Sequence, residues 1–291
     1  MNPLRCVYDL RMAPVTFDFS HFLVACECAR QLLERDSFSV TILADGYRKQ
    51  TERDVNTPQD EKAHRIYGIL LQCTPLFPHL TELIVTTEPT GRDFEYPNQY
   101  PSGGTPYSAG QIVEFHKAGA KVSCIEAPAF AKTLVPDVDI TLTLRASRHF
   151  PDRNVNTDDW QALYDHLIKE GYSVLVVPDQ EDPCLGSGQD EYIPAAFDMR
   201  LRYALYQKAR FNVVSSNGPA SLLQFTDCPH IIFDQYRGGV FTPDMYERMN
   251  GIPAGSQLPW SRPDQTIAWV DSTADTLIDR VDKALEVVRM K

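Results

Sequence analysis

No window of the chain approaches the ~20 consecutive apolar residues that a membrane-crossing helix needs. The stretch Met1 to Arg11 lacks the basic region, apolar core and small-residue cleavage site of a secretory signal. A cytoplasmic protein is therefore expected, with any membrane contact limited to peripheral association. Clusters of lysine and arginine are also missing: 28 basic residues stand against 39 acidic ones, a net charge of −11. That balance argues against DNA or RNA as a partner. Cysteine is odd in number and scattered, at positions 6, 26, 28, 73, 124, 184 and 228. Such a set suits reduced, buried thiols in a reducing compartment rather than a disulfide frame. Cys26 and Cys28 would point apart on a helix, and no His/Cys group has zinc spacing, so neither a resident metal nor another cofactor is expected.

Several signatures of chemistry are absent as well. There is no GxGxxG, no P-loop and no GxSxG elbow, which removes support for nicotinamide dehydrogenases, P-loop enzymes and α/β-hydrolases. Asp137-Val138-Asp139 has the DxD pattern with which some transferases hold a metal, but it precedes a strand instead of following one.

What is present is an alternation of short β-type runs and longer helical ones across 291 residues, of which 43% are hydrophobic. That rhythm predicts parallel sheets covered by helices. Arg5–Leu10, Ser39–Ala44, Leu80–Thr86 and Lys121–Glu126 read as strands of a first half. Helices are expected over Phe19–Glu34, Glu61–Leu71 and Ser108–Lys117. The segment Thr87–Thr105, rich in proline and glycine, breaks the rhythm and reads as a long loop. A second alternation starts after Pro136, with strands over Asp139–Arg145, Tyr172–Pro178, Phe211–Ser215 and His230–Asp234. Its helices fall at Thr157–Glu170, Phe197–Lys208, from Pro219 to Phe225, and at Ser272–Arg289. The fold class is α/β, two Rossmann-like parallel-sheet domains facing a cleft, residues 1–136 and 137–291. Ligands of such sheets bind at the C-terminal ends of the strands.

The loops at those ends hold the candidate residues. Ser216, Asn217, Gly218 and Pro219 lie between a strand and a helical run, where free N–H groups and a helix dipole suit an anion such as a diphosphate; an ordinary helix cap fits the same residues. Arg145, Arg148 and Arg153 leave the first strand of the second half with His149. Arg145 and Arg148 are candidates for gripping a diphosphate, since guanidinium forks match phosphate oxygens. Arg153 is read as solvated or paired with Asp152, Asp158 or Asp159, the last two being a helix's acidic first turn. Asp179, Gln180 and Asp234 end strands and are candidates for nucleoside or sugar hydroxyls; a solvated turn is the alternative for the first two. In the first half, Asp18 and His21 follow the first strand and could deprotonate an acceptor, although Asp18 equally fits a helix N-cap and His21 a core position.

The runs ITLTLRASRHFPDRNVNTDDW, GYSVLVVPDQED, FNVVSSNGPASLL and HIIFD resemble the donor-binding domain of GT-B glycosyltransferases, closest to the heptosyltransferase-like group and proteins of bacterial surface-polysaccharide loci. The resemblance spans roughly residues 138 to 235. It implies a GT-B-like fold with a nucleotide-sugar (donor) domain at 137–291 and an acceptor-side domain at 1–136. It also implies metal-independent transfer of a sugar to a glycan or lipid-linked acceptor, with Ser216–Pro219 at the donor diphosphate. A sugar-nucleotide epimerase or hydrolase, or a non-catalytic nucleotide-sugar-binding protein, would carry the same fold.

Overall fold

Three parallel strands open the chain: β1 (Leu4–Asp9), β2 (Phe38–Leu43) and β3 (Leu80–Thr86), ordered β1-β2-β3. The computed structural model describes residues 2–50, 52–88, 93–97, 109–148, 150–179, 190–239 and 242–290. β1 and β2 are near-continuous apolar runs, as strands covered on both faces must be, and Leu4 pairs with Phe38 through to Asp9 with Leu43. The helix Asp18–Leu32 buries Phe19, Phe22, Leu23 and Cys26, with Tyr8 of β1 edge-on to Phe19 at 4.8 Å. A second helix, Ala109–Lys117, packs on the first.

Two expectations for this half are corrected. Lys121–Glu126 is not a strand: the Lys121 N–H goes to Gln31 Oε1 (2.8 Å) and the Glu126 N–H to the Leu76 carbonyl (2.9 Å). Val122 and Ile125 are still buried there, so hydrophobicity survives without a ladder. The helix expected over Glu61–Leu71 is broken into Gln59–Arg65, a π-turn at Ile66–Leu70 and a short turn at Leu71–Cys73. Of the Thr87–Thr105 segment, residues 89–92 and 98–105 lie outside the described residues.

By its internal contacts the chain divides into a unit of Met1–Glu126 with Met249–Gly251, and a unit of Ala127–Arg248 with Ile252–Lys291. Among the described residues the second unit holds five parallel strands: β4 (Ile140–Thr143), β5 (Val174–Val177), β6 (Phe211–Ser215), β7 (His230–Phe233) and β8 (Gln265–Ile267). Their order is β5-β4-β6-β7-β8. Residues alternate across this sheet. Ile140, Leu142, Phe211 and Val213 share a core with Trp160, Leu163, Leu277 and Val281 from the helices Thr157–Lys169 and Ala274–Arg289. On the other side Thr143 Oγ1 lies 2.7 Å from the Tyr206 hydroxyl, and Asn212 Nδ2 donates to the Tyr206 carbonyl, both on the helix Met199–Lys208. Asp198 splits that helix from a short one at Pro194–Phe197 by capping the Arg200 N–H at 2.8 Å.

The acids beside these helices do the structural work read for them. Asn156 caps Thr157–Lys169 by accepting from the Asp158 N–H, and Asp159 accepts from the Ala274 N–H, tying the two helices together. Asp137 pairs with Lys208 (2.9 Å) and Asp139 holds Ser173, whose hydrogen bonds lower the Asp139 carboxyl from its ordinary value. The six described cysteines are free, and burial pushes Cys28 and Cys73 up to about 12 and Cys228 up to about 11. Those thiols are inert at neutral pH. Among the described residues no helix is long and apolar enough to cross a membrane.

Candidate functional site

All five strands of the second unit run the same way, so their C-terminal ends line one edge in the order Asp179, Arg145, Ser216, Asp234, Trp269. The chain leaves β4 toward β5 and returns past it to β6. The β4/β6 boundary is thus the point where connections diverge, the position at which open parallel sheets bind ligands. Arg145 and Ser216 flank it.

Arg145 is 8% exposed. Arg153, expected to be solvated or paired with Asp152, Asp158 or Asp159, instead comes back over the sheet edge: its Nη2 lies 3.3 Å from the Ser216 carbonyl and 3.4 Å from Ser216 Oγ. Loss of water holds its guanidinium at about 10, below the ordinary value; the positive Arg145 pulls the same way and Asp234 opposes. Two like charges therefore share a half-dry corner. The loop carrying them is stapled by Asn154, whose side chain accepts from the Ser147 N–H and donates to the Ser147 carbonyl, both at 3.0 Å. Gly238 backs Arg153: at φ +73° it is in the left-handed region, and a carbon added to it would lie 2.9 Å from Arg153 Cγ. Only glycine lets that loop approach. Arg148 is exposed on the same loop, and His149 lies outside the described residues.

Asp234 is 2% exposed and has a φ of +62°. Its carboxylate accepts from Ser215 Oγ (3.0 Å), the Ser272 N–H (2.9 Å) and Ser272 Oγ (2.8 Å), with Arg237 Nη1 at 3.5 Å. Trp160 Nε1 donates to Ser272 Oγ in turn. The carboxylate is thus occupied in joining β6, β7 and the start of the last helix. It offsets the positive corner in part while presenting little hydrogen-bonding capacity to a ligand.

The Ser216–Pro219 turn departs from expectation. It leads into a six-residue 3-10 helix, Ala220–Phe225, not an α-helix. Asn217 Oδ1 accepts from the Ala220 N–H at 2.8 Å, and the Asn217 carbonyl takes the Ser221 N–H. The cap reading holds for those two groups, so they are not free for an anion. The same residue nonetheless offers a donor: Asn217 Nδ2 is buried without a partner. Tyr203 holds the Pro219 carbonyl (2.7 Å) and Ser221 Oγ the Gly218 carbonyl (2.7 Å), so the turn is rigid. Asp179 accepts from the Ala146 N–H at 3.3 Å and is buried. Gln180 lies outside the described residues.

In the first unit Asp18 is the first residue of its helix and not its cap; Phe17 precedes it without a side-chain cap, and Thr16 Oγ1 donates to Asp18 Oδ2 at 2.7 Å. His21 stands one turn on. Burial lowers its imidazole from the ordinary value, against Asp18 and the Phe17 carbonyl. Asp9 is buried and bound by Arg11 at 2.6 Å.

No family model matches the chain, and no curated protein matches it in sequence. Among solved structures it is similar to a glycosyl transferase family 9 protein from Veillonella parvula DSM 2008, with a TM-score of 0.48 at 12% identity over 98% of this chain and 96% of that one. It is similar also to the iron-containing dodecameric glycosyltransferase TibC of enterotoxigenic E. coli H10407, with a TM-score of 0.48 at 13% identity over 99% and 77%. A third is E. coli heptosyltransferase WaaC with ADP-2-deoxy-2-fluoro heptose, with a TM-score of 0.47 at 14% identity over 96% and 99%. The chain is an α/β protein with a parallel sheet in each of two units.

Proposed function

We propose that the chain is a glycosyltransferase that moves a sugar from a nucleotide-sugar donor to a glycan or lipid-linked acceptor, in the cytoplasm and without a metal ion, during surface polysaccharide or lipopolysaccharide assembly. The observation that carries this reading is the pair Arg145 and Arg153 at the β4/β6 switch point, held close despite their like charge. A diphosphate dianion relieves that repulsion. As the glycosidic bond of the donor breaks, negative charge grows on the departing nucleoside diphosphate. The two guanidiniums, with the Asn217 amide and Ser216 beside them, are preorganised donors toward that charge. Arg148 adds an exposed positive charge on the same loop, and Asp179 and Asp234, at strand ends on either side of that corner, border the nucleoside and sugar. Residues 1–136 take the acceptor side and 137–291 the donor side. At neutral pH burial keeps His21 as the neutral imidazole, the form that accepts a proton. His21 or Asp18 is the base for the acceptor hydroxyl.

The test is release of nucleoside diphosphate from a panel of nucleotide sugars, with and without glycan and lipid-linked acceptor fractions. Acceptor-dependent release, reduced at least about tenfold in Arg145→Ala, is expected. Full activity in that variant, or no thermal shift of the native protein with any nucleotide or nucleotide sugar, overturns the reading.

A further inference from the structure

Four strands lie at sheet edges: β1 and β3 in the first unit, β5 and β8 in the second. An unpaired edge is a row of open N–H and C=O groups on which another chain can build, and proteins close or blunt such rows. Three of the four are closed. The Val7 N–H donates to the Tyr96 carbonyl (2.9 Å) and the Glu95 N–H to the Arg5 carbonyl (2.8 Å), covering β1. On β5 the Val176 N–H donates to the Asp190 carbonyl (2.8 Å) and the Val176 carbonyl accepts from the Tyr192 N–H (2.9 Å). On β8 the amide of Gln257 stands in for a strand, accepting from the Ile267 N–H (2.6 Å) and donating to the Ile267 carbonyl (3.0 Å).

β3 has no such cover among the described residues. Its sequence, LTELIVT, contains neither lysine nor proline to blunt the edge. The adjacent β2 is buried at every position, whereas no residue of β3 is. Thr81 and Val85 are exposed on one face, Val85 by 43%, and Glu82 is exposed on the other. Strands of a parallel sheet are ordinarily buried on both faces. An apolar strand left partly bare on both lacks a neighbour.

The row that β3 presents is complementary to itself. Its ladder with β2 is regular from Glu82 to Thr86, and the Thr86 carbonyl accepts from the Ala44 N–H at 2.7 Å. Main-chain groups alternate sides along a strand, so Glu82, Ile84 and Thr86 turn theirs to β2 while Leu83 and Val85 turn theirs outward. A two-fold axis at Ile84 brings Leu83 of one copy opposite Val85 of the other, and each such pair exchanges two hydrogen bonds. Glu82, the one charge of the strand, then stands opposite Thr86. Apolar side chains meet apolar ones, and the two glutamates stay about 13 Å apart along the strands. We propose that β3 is a dimerisation edge, on which a second copy of the chain pairs antiparallel about Ile84 and continues the sheet.

Sedimentation of the full chain over about 1–300 μM tests this, because a single strand pairing is a small contact of micromolar affinity. A monomer–dimer equilibrium is expected. Val85→Lys, at an exposed position, sets a charge against Leu83 on both sides of the axis and should weaken the dimer about tenfold or more. Thr86→Lys sets an ammonium opposite Glu82 of the second copy, also twice, and should tighten the dimer about two- to thirtyfold. The second variant decides the matter should the first fail to fold. A chain that stays monomeric throughout, including one whose edge takes up an extended peptide instead, overturns the proposal. So does a dimer indifferent to both substitutions, which lies on another surface, or one that Thr86→Lys does not tighten, which refutes the register.

Discussion

Replacing Arg153 by methionine should make the ligand-free protein more stable and its anion site weaker. The guanidinium is held at about 10 against an ordinary 12.5, chiefly by lost hydration and then by Arg145. A displacement of that size amounts to about 3 kcal/mol against the charged form. The side chain keeps some solvent, so the recoverable part is smaller. Its bonds to Ser216, at 3.3 and 3.4 Å, are long and return little. A neutral side chain of similar length keeps the packing against Gly238 and relieves about 1–2 kcal/mol. For a unit of this size each kcal/mol moves the melting temperature by roughly 2–4 °C, so scanning calorimetry without ligand should show a rise of several degrees. The same change removes a charge-assisted donor worth about 1.5–3 kcal/mol, so pyrophosphate should bind roughly 10- to 150-fold more weakly. A lower melting temperature would mean that Arg153 is a structural strut, and unchanged pyrophosphate affinity would mean that its charge serves no ligand. Either result refutes the argument.

Two further outcomes bear on the framework of the same unit. Asp234→Asn keeps a residue type that tolerates the +62° φ but turns an amide N–H₂ toward the donors Ser215 Oγ and the Ser272 N–H and hydroxyl. Chemical denaturation should show a loss of about 2–4 kcal/mol; a loss under about 1 kcal/mol would mean that the network relaxes freely. His230 is buried in β7 beside the Cys228 carbonyl, and burial brings its imidazole down to about 4. The unfolded chain protonates near 6.5, so between those values it binds a proton that the folded chain does not. Stability from this group is therefore intact above about pH 6.5 and falls by about 3 kcal/mol as the pH drops to 4. Urea midpoints across that range should slope accordingly and flatten in His230→Gln; an unchanged slope in the variant would assign the acid sensitivity elsewhere.

Much of the fold was legible along the chain because it is local. Apolar runs such as SVTIL and FNVVS predict strands that close within a residue of their expected ends, and Asn156 followed by two acids predicts a helix start that the cap confirms. The failures share one cause. Lys121–Glu126 has a strand's composition, but its Lys121 and Glu126 N–H groups go to Gln31 and Leu76 and not to a strand, and β8 is three residues long, too short for a periodicity to register. The run after Pro219 winds as a 3-10 helix once Asn217 takes up its first N–H groups.

The candidate site divides in the same way. Arg145 and the Ser216–Pro219 turn were readable because they directly follow strands, and every strand end of a parallel sheet points to one edge. Arg153 was not, since its place depends on Gly238, 85 residues away in sequence, which alone leaves room for its stem. Likewise nothing near Asp234 in sequence announces Ser215 or Ser272 as its partners. Backbone propensity and hydrophobic period are carried by neighbouring residues, so the sequence by itself determined the elements and the edge at which chemistry would lie. Which charges share a corner, which carboxylate is spent on the framework and which strand edges are closed depend on contacts between distant segments, and only the tertiary structure decided those.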